Sequence, residues 1–130
     1  GAIFKADDGQ GHHRYAGYVE ALMEADIKIK GMQVIWIDTE EVRHMKEDAG
    51  WILRRLQGCT ACVCYNDEVA TKLVAVCLEQ GIRVPEDLSI IGIDDSDLAN
   101  YCEVPLTSAK NPVRDLGKIA ALEMLERERC

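Results

Sequence analysis

At 130 residues, with 48% apolar and 29% charged side chains, the chain has the size and composition of one folded domain rather than of a disordered segment. Its net charge of −8, from 15 basic and 23 acidic residues, excludes a face built to grip a phosphate backbone, which needs clustered Lys and Arg. No apolar run reaches the roughly 20 residues of a membrane-spanning helix, and the first residues lack the basic-then-apolar order of a signal peptide.

The chain opens on a short apolar run, Ala2-Ile3-Phe4, which breaks into KADDGQGHHR, Lys5 to Arg14. Tyr15, Tyr18, Val19, Leu22 and Met23 then recur at helical spacing, and VIWID, Val34 to Asp38, is a β-type run. Val42, Met45, Ala49, Ile52, Leu53 and Leu56 predict a second amphipathic helix closed by Gly58, followed by a third strand, ACVCY, at Ala61 to Tyr65. A third helix is expected from Asp67 to Gln80, its acidic first turn suiting the positive end of the helix dipole and Gly81 supplying the stop. SIIGI, Ser89 to Ile93, is the fourth strand, LTSAK, Leu106 to Lys110, a fifth strand or strand-like crossing, and Pro112 opens a last helix through Leu116, Ala120 and Leu125.

Apolar strands alternating with helices predict an α/β fold: an open, mostly parallel sheet of four to five strands with helices on both faces, because parallel strands need crossovers and the crossovers are helices. In such sheets ligands bind beyond the carboxyl ends of the strands. Those ends carry Lys5, Asp7 and Asp8, then Asp38 and Thr39, then Asn66 and Asp67, then Asp94, Asp95, Ser96 and Asp97. Each residue taken alone is an ordinary helix cap, but their convergence on one edge points to a polar cleft.

Two chemistries suit such an edge. Vicinal sugar hydroxyls pair with ionised Asp in a fork while Arg, Asn and Gln donate to other oxygens. Alternatively Asp7, Asp8, Asp67 and Lys110 resemble a receiver domain, in which paired carboxylates hold Mg²⁺ and a strand-three carboxylate accepts a phosphoryl group. Of the six cysteines, Cys62, Cys64 and Cys77 lie in apolar runs and read as core thiols in a reducing cytosol, whereas zinc at Cys59, Cys62 and Cys64 lacks a second paired knuckle. No Ser-His-Asp set or phosphate-cradling Gly loop is present in the motifs, so neither an enzyme nor a cofactor is expected.

Cys64-Tyr65-Asn66-Asp67-Glu68, followed by GIRVPEDLSIIGIDDSDLANYCEVPLTSAKNP from Gly81 to Pro112, resembles the sugar-sensing domain of the lactose- and galactose-repressor family. The shared features are ND at a helix start, VPEDLSIIG leading into a strand, a Gly-x-Asp-Asp site after it and a Pro-Leu-Thr-Ser crossing. The resemblance implies two lobes that close on a small effector, with a DNA-binding head ahead of the first. It makes residues 1–111 the C-terminal lobe and residues 112–130 a helix that crosses back to the other lobe.

Carried over by position, the ligand-binding residues are Arg14, Asp94 and Asn66, with Asp8 and Gln10 at first-loop positions that vary with ligand type. Some relatives carry a basic residue where this chain has Asp8, which fits a neutral sugar better than an anion, and L-arabinose is the expected effector. In KADDGQGHHR the two glycines are then a tight turn and the histidines solvated bystanders, while the second-strand contact around Asp38, Thr39 and Glu40 has no settled register. The resemblance also implies a homodimer through the 67–80 helix, whose apolar residues cover more than one stripe.

Overall fold

The computed structural model describes residues 1–94, 102, 104, 106–111 and 113–129. Five strands, β1 (Ala2–Lys5), β2 (Val34–Ile37), β3 (Ala61–Cys64), β4 (Ser89–Asp94) and β5 (Thr107–Lys110), form one sheet in the order β2-β1-β3-β4-β5. Every adjacent pair is parallel. The helices are α1 (Gly9–Glu24), α2 (Thr39–Arg43), α3 (Ala49–Arg55), α4 (Asp67–Glu79) and α5 (Val113–Arg129).

Alternation along the strands divides the core in two. Ile3, Ile35, Ile37, Cys62, Cys64 and Ile90 face α2, α3 and α4, where Val42, Met45, Ile52, Leu73 and Cys77 complete the main cluster. Ala2, Phe4 and Val34 face the other way, toward Tyr15 and Tyr18 of α1. Phe4 meets both tyrosines edge-on, at centroid distances of 5.8 and 5.7 Å. On the α1 side the sheet is covered chiefly over β1 and β2, so that Val63 and Ile91 are only half-buried.

The single helix expected from Val42 to Leu56 is two. His44 and Met45 donate to Glu41 and Val42, three residues back, a tight 3-10 turn that interrupts the α ladder. The apolar residues keep their burial across the break, which is why spacing alone did not reveal it. Nor do the glycines of KADDGQGHHR make a turn: α1 already begins at Gly9, capped by Asp8. Gly11 lies against the end of β1, where a Cβ would overlap the Lys5 carbonyl oxygen, whereas Gly9 has open space around it.

A second close approach fixes α4. Gly92 of β4 sits over Asp67, the first residue of α4, and a Cβ at Gly92 would overlap the Asp67 carboxylate. Asp67 is 1% exposed and accepts a 2.7 Å hydrogen bond from Ser108 of β5, the residue paired in register with Gly92. Helix α5, by contrast, is exposed from residue 114 to 127, and Leu116, Ile119, Leu122 and Leu125 each show half or more of their surface. Pro112, expected to open this helix, lies outside the described residues.

Gly11→Ala and Gly92→Ala should each cost about 1–3 kcal/mol in urea denaturation, the usual range for forcing a methyl into a packed site. Gly9→Ala, in open space on the same helix, should be neutral or stabilising.

Candidate functional site

The carboxyl ends of β3 and β4 are joined by one side chain of α1. Because Gly11 lets α1 lie on β1, Arg14 reaches the other strand ends one turn later. Its Nη1 donates to the Tyr65 carbonyl oxygen just past β3, and its Nη2 donates to Asp94 Oδ1 at 3.1 Å and to Gln10 Oε1 at 3.3 Å. The Arg14–Asp94 pair is partly sheltered, at 17% and 34% side-chain exposure. Asn111, past the end of β5, donates from Nδ2 to the same Asp94 oxygen at 3.4 Å. Asp94 ends β4 with φ of 104°, a left-handed conformation strained for a residue with a side chain, and functional positions commonly hold such strain.

Asp8 and Tyr65 form the adjoining group. Asp8 Oδ1 accepts from the Gln10 backbone N–H at 2.7 Å, capping α1, and its Oδ2 accepts from the Tyr65 hydroxyl at 2.6 Å. The Tyr65 hydroxyl and then the Gln10 N–H hold the Asp8 carboxyl below its ordinary value. Burial, followed by the bond to Asp8, pushes Tyr65 up to about 12. The guanidinium of Arg14 lies 4.7 Å from the centre of the Tyr65 ring and Lys5 Nζ 5.9 Å from it.

Asn66 caps α4 by accepting from the Val69 N–H at 3.0 Å. It also lines a hollow of about 210 Å³ with Lys5, Thr39, Arg43 and Tyr65. A larger hollow, about 640 Å³, runs along Tyr15, Val19 and Met23 on the flank of α1 and includes none of the strand-end polar residues. We place the site at the strand ends, where hydrogen-bonding groups converge.

The five residues singled out from the sequence thus fall on one edge, with Arg14, Gln10 and Asp94 in direct contact and Asp8 and Asn66 doubling as helix caps. Asp95, Ser96 and Asp97 lie outside the described residues. At the second strand, Asp38 is taken up by a capping box with Glu41, and Asp7 accepts from both the N–H and the hydroxyl of Thr39, at 3.1 and 2.7 Å. His12 is exposed, as expected, and its ring stacks on Trp36 at 4.9 Å and donates from Nε2 to the Ala6 carbonyl. The residue that sequence reasoning missed is Tyr65, read as the tail of an apolar strand; its place directly before Asn66-Asp67 was the available signal.

Two alternatives fare poorly. Asp67, the phospho-acceptor of a receiver, is buried between Gly92 and Ser108, and Asp7 and Asp8 are engaged with Thr39 and Tyr65. Among the described residues no cluster of three or more His, Cys, Asp or Glu is placed to hold a metal ion. Cys62, Cys64 and Cys77 are fully buried, and Cys64 is pushed up by the adjacent Cys62 thiol and by burial, which favours the inert thiol.

A family model described as a periplasmic binding protein-like domain matches residues 1–128. The chain belongs to that family. Among its curated relatives, the arabinose metabolism transcriptional repressor of Halalkalibacterium halodurans is 39% identical over 132 residues, covering 98% of this chain and 35% of that protein. Of solved structures, the transcriptional regulator CelR in complex with cellobiose superposes with a TM-score of 0.82 at 28% identity, over 96% of this chain and 39% of that one. A sugar-binding regulator of the LacI family from Escherichia coli, solved with phosphate, matches with a TM-score of 0.78 at 29% identity, over 88% and 41%. The chain spans about a third of the length of the curated relatives it matches. In this periplasmic binding protein-like fold the polar edge just described is the open end of the parallel sheet, where ligands enter.

Asp7 titrates below its ordinary 3.8, first through the Thr39 hydroxyl and then through the Thr39 N–H. Its pairing therefore stabilises the fold above that value, and the contribution is lost as pH falls through the lowered one. Thr39→Val should raise the Asp7 titration midpoint, read by carboxyl NMR, and weaken the acid-sensitive part of stability.

Proposed function

We propose that this chain is the C-terminal lobe, residues 1–111, of the effector-binding domain of a cytoplasmic transcriptional regulator, and that it binds a small neutral sugar, with L-arabinose the expected effector. The observation that carries the reading is the Arg14–Asp94 pair, a donor and an acceptor 3.1 Å apart on a polar edge that also presents Gln10, Asn66 and Asn111. Adjacent sugar hydroxyls both donate and accept, so such a pair serves them from one side of the ring. Among the described residues Arg14 Nε and Asp94 Oδ2 make no hydrogen bond, which leaves a donor and an acceptor for the ligand. A site of this kind is non-catalytic: it needs orientation and desolvation but no nucleophile.

DNA is bound in this reading by a separate head, in keeping with the acidic charge of this chain. Effector binding alters the head through a difference in affinity between open and closed forms. The exposed apolar stripe of α5 packs on the other lobe, as the crossing helix. A homodimer through α4 belongs to the same reading, although Val69, Ala70, Leu73, Val74, Val76 and Cys77 are already buried within one chain. The breadth of that apolar face therefore lends the dimer no support, and pairing would use its half-exposed strip around Lys72, Ala75 and Leu78.

Titration calorimetry of the full-length protein against pentoses and hexoses tests the proposal. A charge-assisted hydrogen bond contributes on the order of 1.5–3 kcal/mol, so Arg14→Ala and Asp94→Ala should each weaken sugar binding by about 10- to 100-fold. No heat from any sugar, or full affinity in Asp94→Ala, would refute it.

A further inference from the structure

One residue ties together two groups of the site, Asp8 and Arg14, that no direct bond joins. Tyr65 follows β3, is 5% exposed, and engages its neighbours through three separate features. The hydroxyl holds Asp8 Oδ2 at 2.6 Å, the ring lies 4.7 Å from the Arg14 guanidinium, and the carbonyl accepts from Arg14 Nη1. Its own N–H is tied to the Ile3 carbonyl at 2.8 Å, so the residue is anchored to β1 as well as β3. A buried tyrosine hydroxyl needs a partner, and here that partner is a carboxylate of the polar edge rather than a carbonyl of the core. A tyrosine serving only as a ligand contact would not be spent on Asp8 and Arg14.

We infer that Tyr65 is the positioning residue of the site: its hydroxyl and ring hold the Asp8 carboxylate and the Arg14 guanidinium in the places where they meet the effector. The inference rests on the sugar-binding reading for its last step. Asp8 is otherwise held through one oxygen by the Gln10 N–H and Arg14 through Asp94 and Gln10, and Tyr65 fixes the second Asp8 oxygen and the face of the guanidinium, so that less order is left to be imposed on binding. The groups that face Asp8 are Lys5 of β1, the Gln10 N–H and Arg14 of α1 and Tyr65 after β3, while Asp94 of β4 faces Arg14 and the tyrosine. Among these the Tyr65 hydroxyl is the leading cause of Asp8's lowered titration, so removing it has a readout of its own.

The experiment uses the full-length protein and its Tyr65→Phe and Tyr65→Leu variants, with thermal melts to verify folding. Tyr65→Phe keeps the ring and is nearly isosteric. Without ligand, the Asp8 carboxyl titration followed by NMR should move up toward the ordinary carboxylate value in Tyr65→Phe. With sugar, affinity near neutral pH should drop about tenfold, and its decline on acidification should begin at higher pH than in the parent protein. Tyr65→Leu, which also removes the ring beneath Arg14, should lose more. An unmoved Asp8 titration in Tyr65→Phe would overturn the assignment, and so would a moved titration with unchanged affinity. If the parent protein binds no sugar, the sugar reading fails and the ligand-binding step of this inference fails with it, whatever the titration of Asp8 shows.

Discussion

The site depends on how closely α1 approaches β1. With no side chain at Gly11, the first turn of the helix rests on the Lys5 carbonyl, and Arg14 is carried over the ends of β3 and β4. A helix held a methyl group farther away would displace the guanidinium from both partners. That ion pair also bears on Asp94, whose left-handed backbone costs on the order of 1–3 kcal/mol unless its surroundings hold it. Arg14 and Asn111 both grip Asp94 Oδ1, and so the strain is retained at the strand end where the carboxylate faces the cleft.

On the opposite face of the sheet a second glycine serves a different purpose. Gly92 leaves room for a carboxylate, and Asp67 fills that room with a hydrogen bond from Ser108. A buried acid is tolerated only when bonded, and here the bonding joins the start of α4 to the strand that runs on to Asn111. Two of the strand ends are thereby held in register from beneath: Asn66 begins α4 above Asp67, and Asn111 follows β5 three residues after Ser108. The polar cleft rests on a polar support, which differs from the apolar packing under most of this sheet.

Much of this was legible in the sequence, for a specific reason. Strands buried on both faces are short apolar runs, and the helices between them carry their own periodicity, so a mostly parallel sheet of four to five strands could be read before any coordinates. The strand ends treated as one edge gave Asp8, Asn66 and Asp94, while Arg14 and Gln10 came from the family resemblance. The break between α2 and α3 was hidden because Val42, Met45 and Ala49 stay buried through it. The start of α1 at Gly9 was hidden because two glycines and two aspartates look like loop, although Asp8 is an N-cap of the ordinary kind. Tyr65 was hidden by its company, since it ends an apolar run, and its place directly before Asn66-Asp67 puts it at the edge without showing that its hydroxyl turns toward a carboxylate. Helix α5 shows the limit of the method: its apolar stripe is plain, but a pattern names no surface for that stripe to cover.

One contact divides the site into a part that side-chain substitution can reach and a part that it cannot. Arg14 bonds to residue 65 through the main-chain carbonyl, which every amino acid possesses, while the phenol of that same residue governs Asp8. Replacement of the side chain leaves the carbonyl bond to the cation available, while the hydroxyl's hold on Asp8 and the ring against the guanidinium are lost. The main-chain bond to Arg14 therefore goes with the backbone, whatever side chains stand at positions 8 and 65.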